Sequence, residues 1–271
     1  MKKHPRKKNY FPIILIFSAL ILLPASIIIY KKDKAYLKKI YHKYAHKTPK
    51  RYLATTMEKP YLKPHIKKYD LHGIDVSKHQ GKIQWHLVKH PDTSKKIDFV
   101  FIRASYGTNK DKLFHTNWVN ATSKNFTLGA YHYYWANTNS SKQAKRFIET
   151  VELKNGDLPP VLDIEKLPEF QSKSNWLKGI KNWLNLVEMH YGVKPIIYTS
   201  DGFYKHHLET DPFFKEYPRL WIANYNDIQQ PNSNWHFWQY SDKVKITGIK
   251  GAVDINVFKN DAVSFNDLLK K

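Results

Sequence analysis

Residues 159–165 read PPVLDIE, a short apolar run that carries two acids, Asp163 and Glu165. In a strand, residues two apart point to the same face, so these carboxyls should lie side by side with Cα atoms about 6.5 Å apart. Two negative charges this close, between apolar neighbours, should not both ionise easily, so one pKa should rise. A carboxyl that keeps its proton beside an ionised one is the pair that glycoside hydrolysis uses.

Seven further apolar runs accompany this one and predict a sheet. They cover residues 73–77, 99–105, 127–134, 195–200, 220–225, 236–241 and 253–258, with the PPVLDIE strand placed at 160–165. Helices are predicted at 117–125, 141–152, 174–191 and 202–208. Strands separated by helix-length connections indicate βαβ units, and eight of them favour a TIM-like α/β barrel with its active site at the C-terminal strand ends. The last three strands are too close together for full helices, so the barrel should be irregular on that side.

Two more acids interrupt predicted strands, Asp75 in GIDVS and Asp254 in AVDINVF. Each acid could instead form a structural salt bridge, but the apolar strands supply one interior cation, Arg103, which could neutralise only one of the four. Many aromatic residues also fall on or just after strands, where their flat faces suit sugar rings. About half of these should be core residues, because strands favour aromatics in any case. Those nearest the strand ends, and so the better cleft candidates, are Tyr198, Tyr225 and Tyr240.

Residues 11–30 (FPIILIFSALILLPASIIIY) contain no charge. As a helix, twenty residues rise roughly 30 Å, which is enough to cross the hydrocarbon core of a bilayer. Five basic residues precede this segment and favour a cytoplasmic N-terminus, although three lysines also follow it directly. We expect an uncleaved transmembrane signal anchor; a cleaved secretory signal peptide and a buried core helix are the alternatives. Whether this segment is an anchor or a cleaved signal peptide, the rest of the chain should lie outside the cytoplasm.

The predicted organisation is a basic cytoplasmic flank (1–10), the anchor (11–30), a basic linker (31–70) and a catalytic barrel (71–271). Of the 45 Lys and Arg, 18 lie in residues 1–70, together with only 3 of the 23 acids, so much of the net charge of +22 belongs to the tail. The linker is either a stalk or a segment that adheres to anionic wall polymers or lipid headgroups. A concentration of positive charge in residues 1–70 indicates tethering. The sequence contains no recognisable nucleic-acid-binding motif.

The chain contains no cysteine. This excludes a disulfide scaffold, a cysteine-ligated zinc site and a thiol nucleophile. His42 and His46 have a spacing that could hold a metal, but no third ligand is evident. We therefore expect neither a metal nor an organic cofactor.

A set of motifs in this order and spacing resembles the glycoside hydrolase family 25 lysozymes, the N-acetylmuramidases of the Chalaropsis type. They are GIDVSKHQG (73–81) with Trp85, GAYHYY (129–134), PPVLDIE, IIYTS (196–200), LWIANY (220–225), FWQYSD (237–242) and G-x-V-D-I-N (251–256). The resemblance implies a flattened barrel of eight strands and five helices, of the irregular (β/α)5(β)3 form. It also implies cleavage of the β-1,4 bond between N-acetylmuramic acid and N-acetylglucosamine in peptidoglycan.

By motif position, the resemblance implies that Glu165 is the general acid. Asp163 would orient or stabilise the substrate's 2-acetamido group, whose oxygen attacks the anomeric carbon, while Asp75 and Asp254 would line the pocket and tune Glu165. The residues expected to contact substrate are Tyr131, Tyr198, Tyr225 and Gln239. Many family members have Glu where this chain has Tyr106 in Ala104-Ser105-Tyr106-Gly107, so substrate contacts there should differ.

The sequence thus predicts a monomeric peptidoglycan hydrolase that acts on glycan strands in wall turnover or remodelling. We expect it in the cell membrane, single-pass with an extracellular catalytic domain, or secreted if residues 11–30 are cleaved off. Two alternatives are a catalytically silent wall-binding module and a phage-derived lysis enzyme. The silent module predicts loss of Asp163 or Glu165, and both acids are present.

Overall fold

The computed structural model describes residues 66–226 and 229–271. The predicted flank, the anchor at 11–30 and most of the basic linker lie outside these ranges. Within them, no helix combines the length and the apolar character needed to cross a bilayer.

Nine strands of the described residues form one sheet. They are β1 (His72–Val76), β2 (Phe99–Tyr106), β3 (Asn109–Lys110), β4 (Thr127–Tyr133), β5 (Val161–Asp163), β6 (Ile196–Ser200), β7 (Leu220–Ala223), β8 (Phe237–Val244) and β9 (Val253–Phe258). Their order is β1-β9-β8-β7-β6-β5-β4-β2-β3, and a further pairing of β1 with β2 closes the sheet into a barrel of eight strands. The short β3, which the sequence did not predict, pairs only with the end of β2.

Helices occupy the connections between β3 and β7 and follow the last strand. They are α1 (Phe114–Thr122), α2 (Ser140–Ile148), α3 (Lys173–Tyr191), α4 (Asp201–Phe203, continued by a π turn over Tyr204–Leu208), α5 (Pro212–Lys215) and, after the last strand, α6 (Ala262–Leu268). Two 3-10 turns, Lys78–Gln80 and Trp85–Leu87, lie between β1 and β2. The described residues between β7, β8 and β9 contain no helix, so the predicted α/β barrel with one irregular side is confirmed.

The strand directions refine the prediction on that irregular side. Apart from the short β3, which is antiparallel to β2, neighbouring strands from β1 through β8 run parallel. In contrast, β9 runs antiparallel to both β1 and β8. The connection from β8 to β9 spans only residues 245–252, which is too short for the crossover that a parallel pair requires. The final strand therefore enters the barrel from the opposite end.

Aromatic side chains fill the barrel interior. Phe99 and Phe101 on β2 point inward and contact the Phe237 ring at centroid distances of 5.3 Å each. Gly73 makes room for this packing, because a Cβ there would lie 2.2 Å from the Phe99 ring. Above these phenylalanines, Trp221 stacks on Phe101 at 4.4 Å and forms a flat layer across the barrel.

The packed domain begins before the boundary that the sequence predicted at residue 71. Ile66 is fully buried and Tyr69 is 6% exposed. The Tyr69 ring packs edge-on against Trp235 at 5.6 Å and against Trp238 at 6.4 Å. These residues belong to the core between the strands and the helices, so the last part of the predicted linker is a structural part of the domain.

Candidate active site

A cavity of about 270 Å³ lies at the C-terminal ends of the parallel strands. It contains all eight residues that the sequence suggested: Asp75, Asp163, Glu165, Asp254, Tyr131, Tyr198, Tyr225 and Gln239. Because β9 is antiparallel, Asp254 reaches this edge from near the start of its strand. In the register of β1 and β9, Asp254 lies directly opposite Asp75.

Asp75 is the centre of a buried hydrogen-bond network. Its Oδ2 accepts hydrogen bonds from Gln239 Nε2 and Asn256 Nδ2, each at 2.8 Å. The Gln239 Oε1 in turn accepts from the hydroxyls of Tyr198 at 2.8 Å and Tyr225 at 2.6 Å. The two hydroxyls fix the Gln239 amide so that its N–H group faces Asp75. The hydrogen bonds from Gln239 and Asn256 favour the charged form of Asp75.

Asp254 and Asp75 form a pair of carboxyls whose pKa values depend on each other. Burial chiefly raises the pKa of Asp254 to about 9, and the charge of Asp75 together with a hydrogen bond between the two carboxyls adds to the effect. Burial also raises the pKa of Asp75 to about 6, against the lowering effect of the Asn256 and Gln239 hydrogen bonds. Near neutral pH the two carboxyls should therefore share one proton.

Asp163 and Glu165 both face the same cavity but differ in environment. Asp163 is 5% exposed, and burial, followed by the charges of Glu165 and Asp75, raises its pKa well above the usual range. Glu165 stands exposed at the cavity mouth. Partial desolvation raises the pKa of Glu165, Lys166 opposes this effect and Asp254 adds to it.

Arg103 does not form a salt bridge with any of the four acids. It lines the cavity, but its Nε pairs with Asp111 Oδ2 at 2.8 Å. Its charge lowers the pKa of Asp163 only as a minor effect at longer range. The structural salt bridges considered as an alternative from the sequence are therefore absent at this site among the described residues.

Several neighbours of the site were not chosen from the sequence. Trp221 forms the floor of the cavity, and its indole Nε1 donates a 2.8 Å hydrogen bond to Asn256 Oδ1. Asn256 lies two residues after Asp254 on β9, so strand alternation could have placed both on one face. Tyr133 also lines the cavity.

Two aromatic residues that the sequence analysis singled out, Tyr240 and Tyr106, lie outside this cavity. Tyr240, a predicted cleft candidate, is 3% exposed and packs against Trp238 in the core outside the barrel, so this prediction was wrong. It follows Gln239 directly, and successive residues of a strand face opposite sides. The Tyr106 hydroxyl accepts a 3.3 Å hydrogen bond from Lys78 Nζ, which also lies 4.5 Å from the Tyr106 ring centre.

A second cavity of about 510 Å³ adjoins the first. The two share three lining residues, Glu165, Tyr198 and Tyr225. Glu165 therefore stands where two contiguous spaces meet. This arrangement can accommodate groups on both sides of a bond that lies next to its carboxyl.

Comparison with known proteins gives a consistent result. The pattern of the family described as "Glycosyl hydrolases family 25" matches residues 74–249. Lysozyme M1 of Streptomyces globisporus is 31% identical over 205 residues, which cover 70% of this chain and 68% of that protein. The protein YegX of Escherichia coli O6:H1, described as uncharacterized, is 40% identical over 194 residues and 70% of each chain.

Among solved structures, a family 25 glycosyl hydrolase from Bacillus anthracis has a TM-score of 0.65 and 27% sequence identity. The similarity covers 79% of this chain and 99% of that one, so the whole of the related domain has a counterpart here.

Proposed function

The chain belongs to glycosyl hydrolase family 25, and is thus a glycosidase of the muramidase type; from this premise we propose how its residues cleave peptidoglycan. Glu165 is the general acid, and the substrate's own 2-acetamido group is the nucleophile. One observation carries the proposal: Asp163 Oδ1 is buried in the cavity that holds Glu165, and none of the described residues donates a hydrogen bond to it. A buried oxygen of this kind favours a ligand that supplies the missing partner.

In the first step, the acetamido oxygen of N-acetylmuramic acid bonds to the anomeric carbon as the bond from that carbon to the glycosidic oxygen breaks. The glycosidic oxygen takes the proton of Glu165 and leaves as the 4-hydroxyl of N-acetylglucosamine. In the second step, the ionised Glu165 takes a proton from a water molecule whose oxygen attacks the anomeric carbon, which restores the acetamido group. The raised pKa of Glu165 supports this role, because it keeps the carboxyl protonated at higher pH.

Asp163 accepts a hydrogen bond from the acetamido N–H in this scheme and so directs the acetamido oxygen toward the anomeric carbon. Burial keeps the pKa of Asp163 high in the free enzyme. A bound N–H and the positive charge that develops on the attacking group both favour the ionised carboxylate. Substrate binding should therefore lower the pKa of Asp163.

The two adjoining cavities support a cleft that binds sugars on both sides of the scissile bond. The aromatic walls provided by Tyr131, Tyr198, Tyr225 and the Trp221 floor suit the apolar faces of sugar rings. The hydrogen bonds from Tyr198 and Tyr225 to Gln239 hold two of these rings in place.

We further propose that residues 11–30 anchor the enzyme in the cell membrane with its catalytic domain outside. The uncharged twenty-residue run and the basic residues before it support this orientation. Membrane fractionation of cells that produce the full chain tests it: the enzyme should sediment with membranes at full length. Release of a shortened soluble form would instead indicate cleavage.

Digestion of purified peptidoglycan tests the catalytic proposal. The wild-type chain should generate new reducing ends that carry N-acetylmuramic acid, as identified by mass spectrometry. Glu165→Gln should abolish their release, whereas Glu169→Gln, which changes an exposed glutamate on the same loop, should retain it. Retained activity in Glu165→Gln would overturn the acid assignment, and N-acetylglucosamine at the new ends would indicate a different glycosidase.

A further inference from the structure

A third cavity, of about 280 Å³, lies between the loop that follows β4 and the loop that leads into α3. The loop after β4 contributes Tyr134, Asn137, Thr138, Asn139 and Ser140, and the other side contributes Phe170, Gln171, Asn175 and Gly179. Neither the general acid nor the buried carboxyls line it. Its chemistry differs from that of the catalytic cavity, because all the lining residues are uncharged.

Phe170 is the notable member of this set, since it is 85% exposed. An apolar ring so open to water gains little from folding, and it remains available to contact a ligand. The backbone beneath it is held firmly: Asn137 Oδ1 accepts hydrogen bonds from the backbone N–H groups of Glu169 and Phe170, both at 3.0 Å. Gln171 Nε2 also donates to the backbone oxygen of Ala136. The ring is therefore presented by a fixed loop.

The opposite loop is fixed by a buried side chain. Gln143 Nε2 donates to the backbone oxygens of Trp135 at 3.1 Å and Thr138 at 2.9 Å, and its Oε1 accepts from the Trp135 N–H at 2.9 Å. His132 contacts the same Oε1 at 3.1 Å and Ser105 Oγ at 2.7 Å, which ties the loop to the barrel strands. A preformed cavity of this kind is typical of ligand sites.

We propose that this third cavity binds an uncharged sugar of the same glycan strand, at a distance from the bond being cleaved. An exposed aromatic ring beside amide and hydroxyl groups matches the apolar face, hydroxyls and acetamido groups of an N-acetylated sugar. The lining offers no cation to balance a stem-peptide carboxylate or a phosphate. This inference rests on the proposed function, because it extends the same cleft.

The chain itself limits how far this cavity can lie from the catalytic one. Phe170 follows Glu165 by five residues, which even when fully extended span at most about 18 Å. On the other side, Tyr133 lines the catalytic cavity and the adjacent Tyr134 lines the third cavity. The two cavities are therefore close enough for the proposed contact of one long glycan strand with both, whereas a short fragment would contact only the catalytic cavity.

Steady-state kinetics on glycan strands freed of stem peptides, in a short and a long fraction, test the proposal. Phe170→Ala should raise KM for the long fraction by about fivefold to tenfold with kcat unchanged, because a contact made equally in ground and transition states changes KM alone. KM for the short fraction should not change, and Phe170→Trp should restore the long-fraction value. Met189→Ala, which removes a 74% exposed side chain from α3, is the matched control and should alter neither.

Other results would overturn the assignment: no change on either fraction, an equal change on both, or an effect confined to peptidoglycan that retains its stem peptides. The last result would indicate a peptide site. If the wild-type chain releases no reducing ends, the proposed function fails instead. Equilibrium binding of the long fraction to wild-type and Phe170→Ala protein then still decides the question, because the proposal requires weaker binding by the variant.

Discussion

Replacement of Asp254 by Asn tests the shared proton of the Asp75–Asp254 pair. In the unfolded chain this carboxyl has the ordinary pKa of 3.8, whereas in the folded protein burial and Asp75 raise its pKa to about 9. Between these values the folded protein holds a proton that the unfolded chain has released. The stabilising contribution of that proton is complete below pH 3.8 and is lost as the pH rises through about 9, at up to about 1.4 kcal/mol per pH unit.

Asparagine cannot titrate but keeps an N–H donor toward Asp75. Between pH 5 and pH 8 the titration of this carboxyl lowers the free energy of unfolding of the wild type by at most about 4 kcal/mol. The variant should not show this decrease. Water reaches part of the Asp254 side chain and Asp75 titrates in the same interval, so we expect roughly half of this, about 2 kcal/mol. For a domain of this size, that gain corresponds to a Tm difference of roughly 4–8 °C.

The assay is thermal unfolding of wild type and Asp254→Asn, followed by circular dichroism at both pH values. The Tm of the variant relative to wild type should be higher at pH 8 than at pH 5. Asp267→Asn, which changes an exposed carboxyl on α6, should follow the wild-type curve at both. Parallel curves for Asp254→Asn and wild type would refute the reasoning that Asp254 carries the proton.

Three further substitutions test other parts of the structure. Lys166→Gln removes a cation that lowers the pKa of Glu165, so the alkaline limb of the kcat/KM profile should move to higher pH; an unchanged or lower limb contradicts this. Tyr225→Phe removes one of the two donors to Gln239, and should reduce kcat/KM on soluble glycan about threefold to tenfold, with no effect counting against a role for this network. Ile66→Ala opens a cavity at a fully buried site and should lower the free energy of unfolding in urea by about 2–5 kcal/mol; a change below about 0.5 kcal/mol would show that the domain does not need this residue.

Strand alternation explains why so much of the site could be read from the sequence. Asp163 and Glu165 are two apart, and the C-terminal ends of parallel strands meet at one edge, so acids on separate strands were expected to converge there. The cavity lined by Asp75, Asp163, Glu165 and Asp254 agrees with that expectation. Strand alternation also places Tyr240 and Gln239 on opposite faces of β8. Applied to β8, this rule would have excluded Tyr240 from the cleft candidates.

Other features depended on contacts that no local pattern reveals. Trp221 and Asn256 meet across the barrel, 35 residues apart in sequence. The first long helix was predicted at 117–125 but begins at Phe114, because the preceding Leu113 makes no side-chain cap that would mark the start. Similarly, the basic composition of residues 31–70 gave no indication that Ile66 and Tyr69 are buried. Tyr69 packs against Trp235 and Trp238, which lie far along the chain.

The antiparallel entry of β9 sets the order in which the catalyst can be completed. Asp75 binds Asn256 across 181 residues of sequence, so the first and last strands of the barrel are neighbours. A growing polypeptide that has not reached Val253 already contains Asp163 and Glu165, yet it lacks the strand that closes the seam and supplies Asp254. Contacts this distant in sequence form late. A chain truncated before Val253 should therefore lack Asp254, the strand that closes the barrel and the hydrogen bond from Asn256 to Asp75.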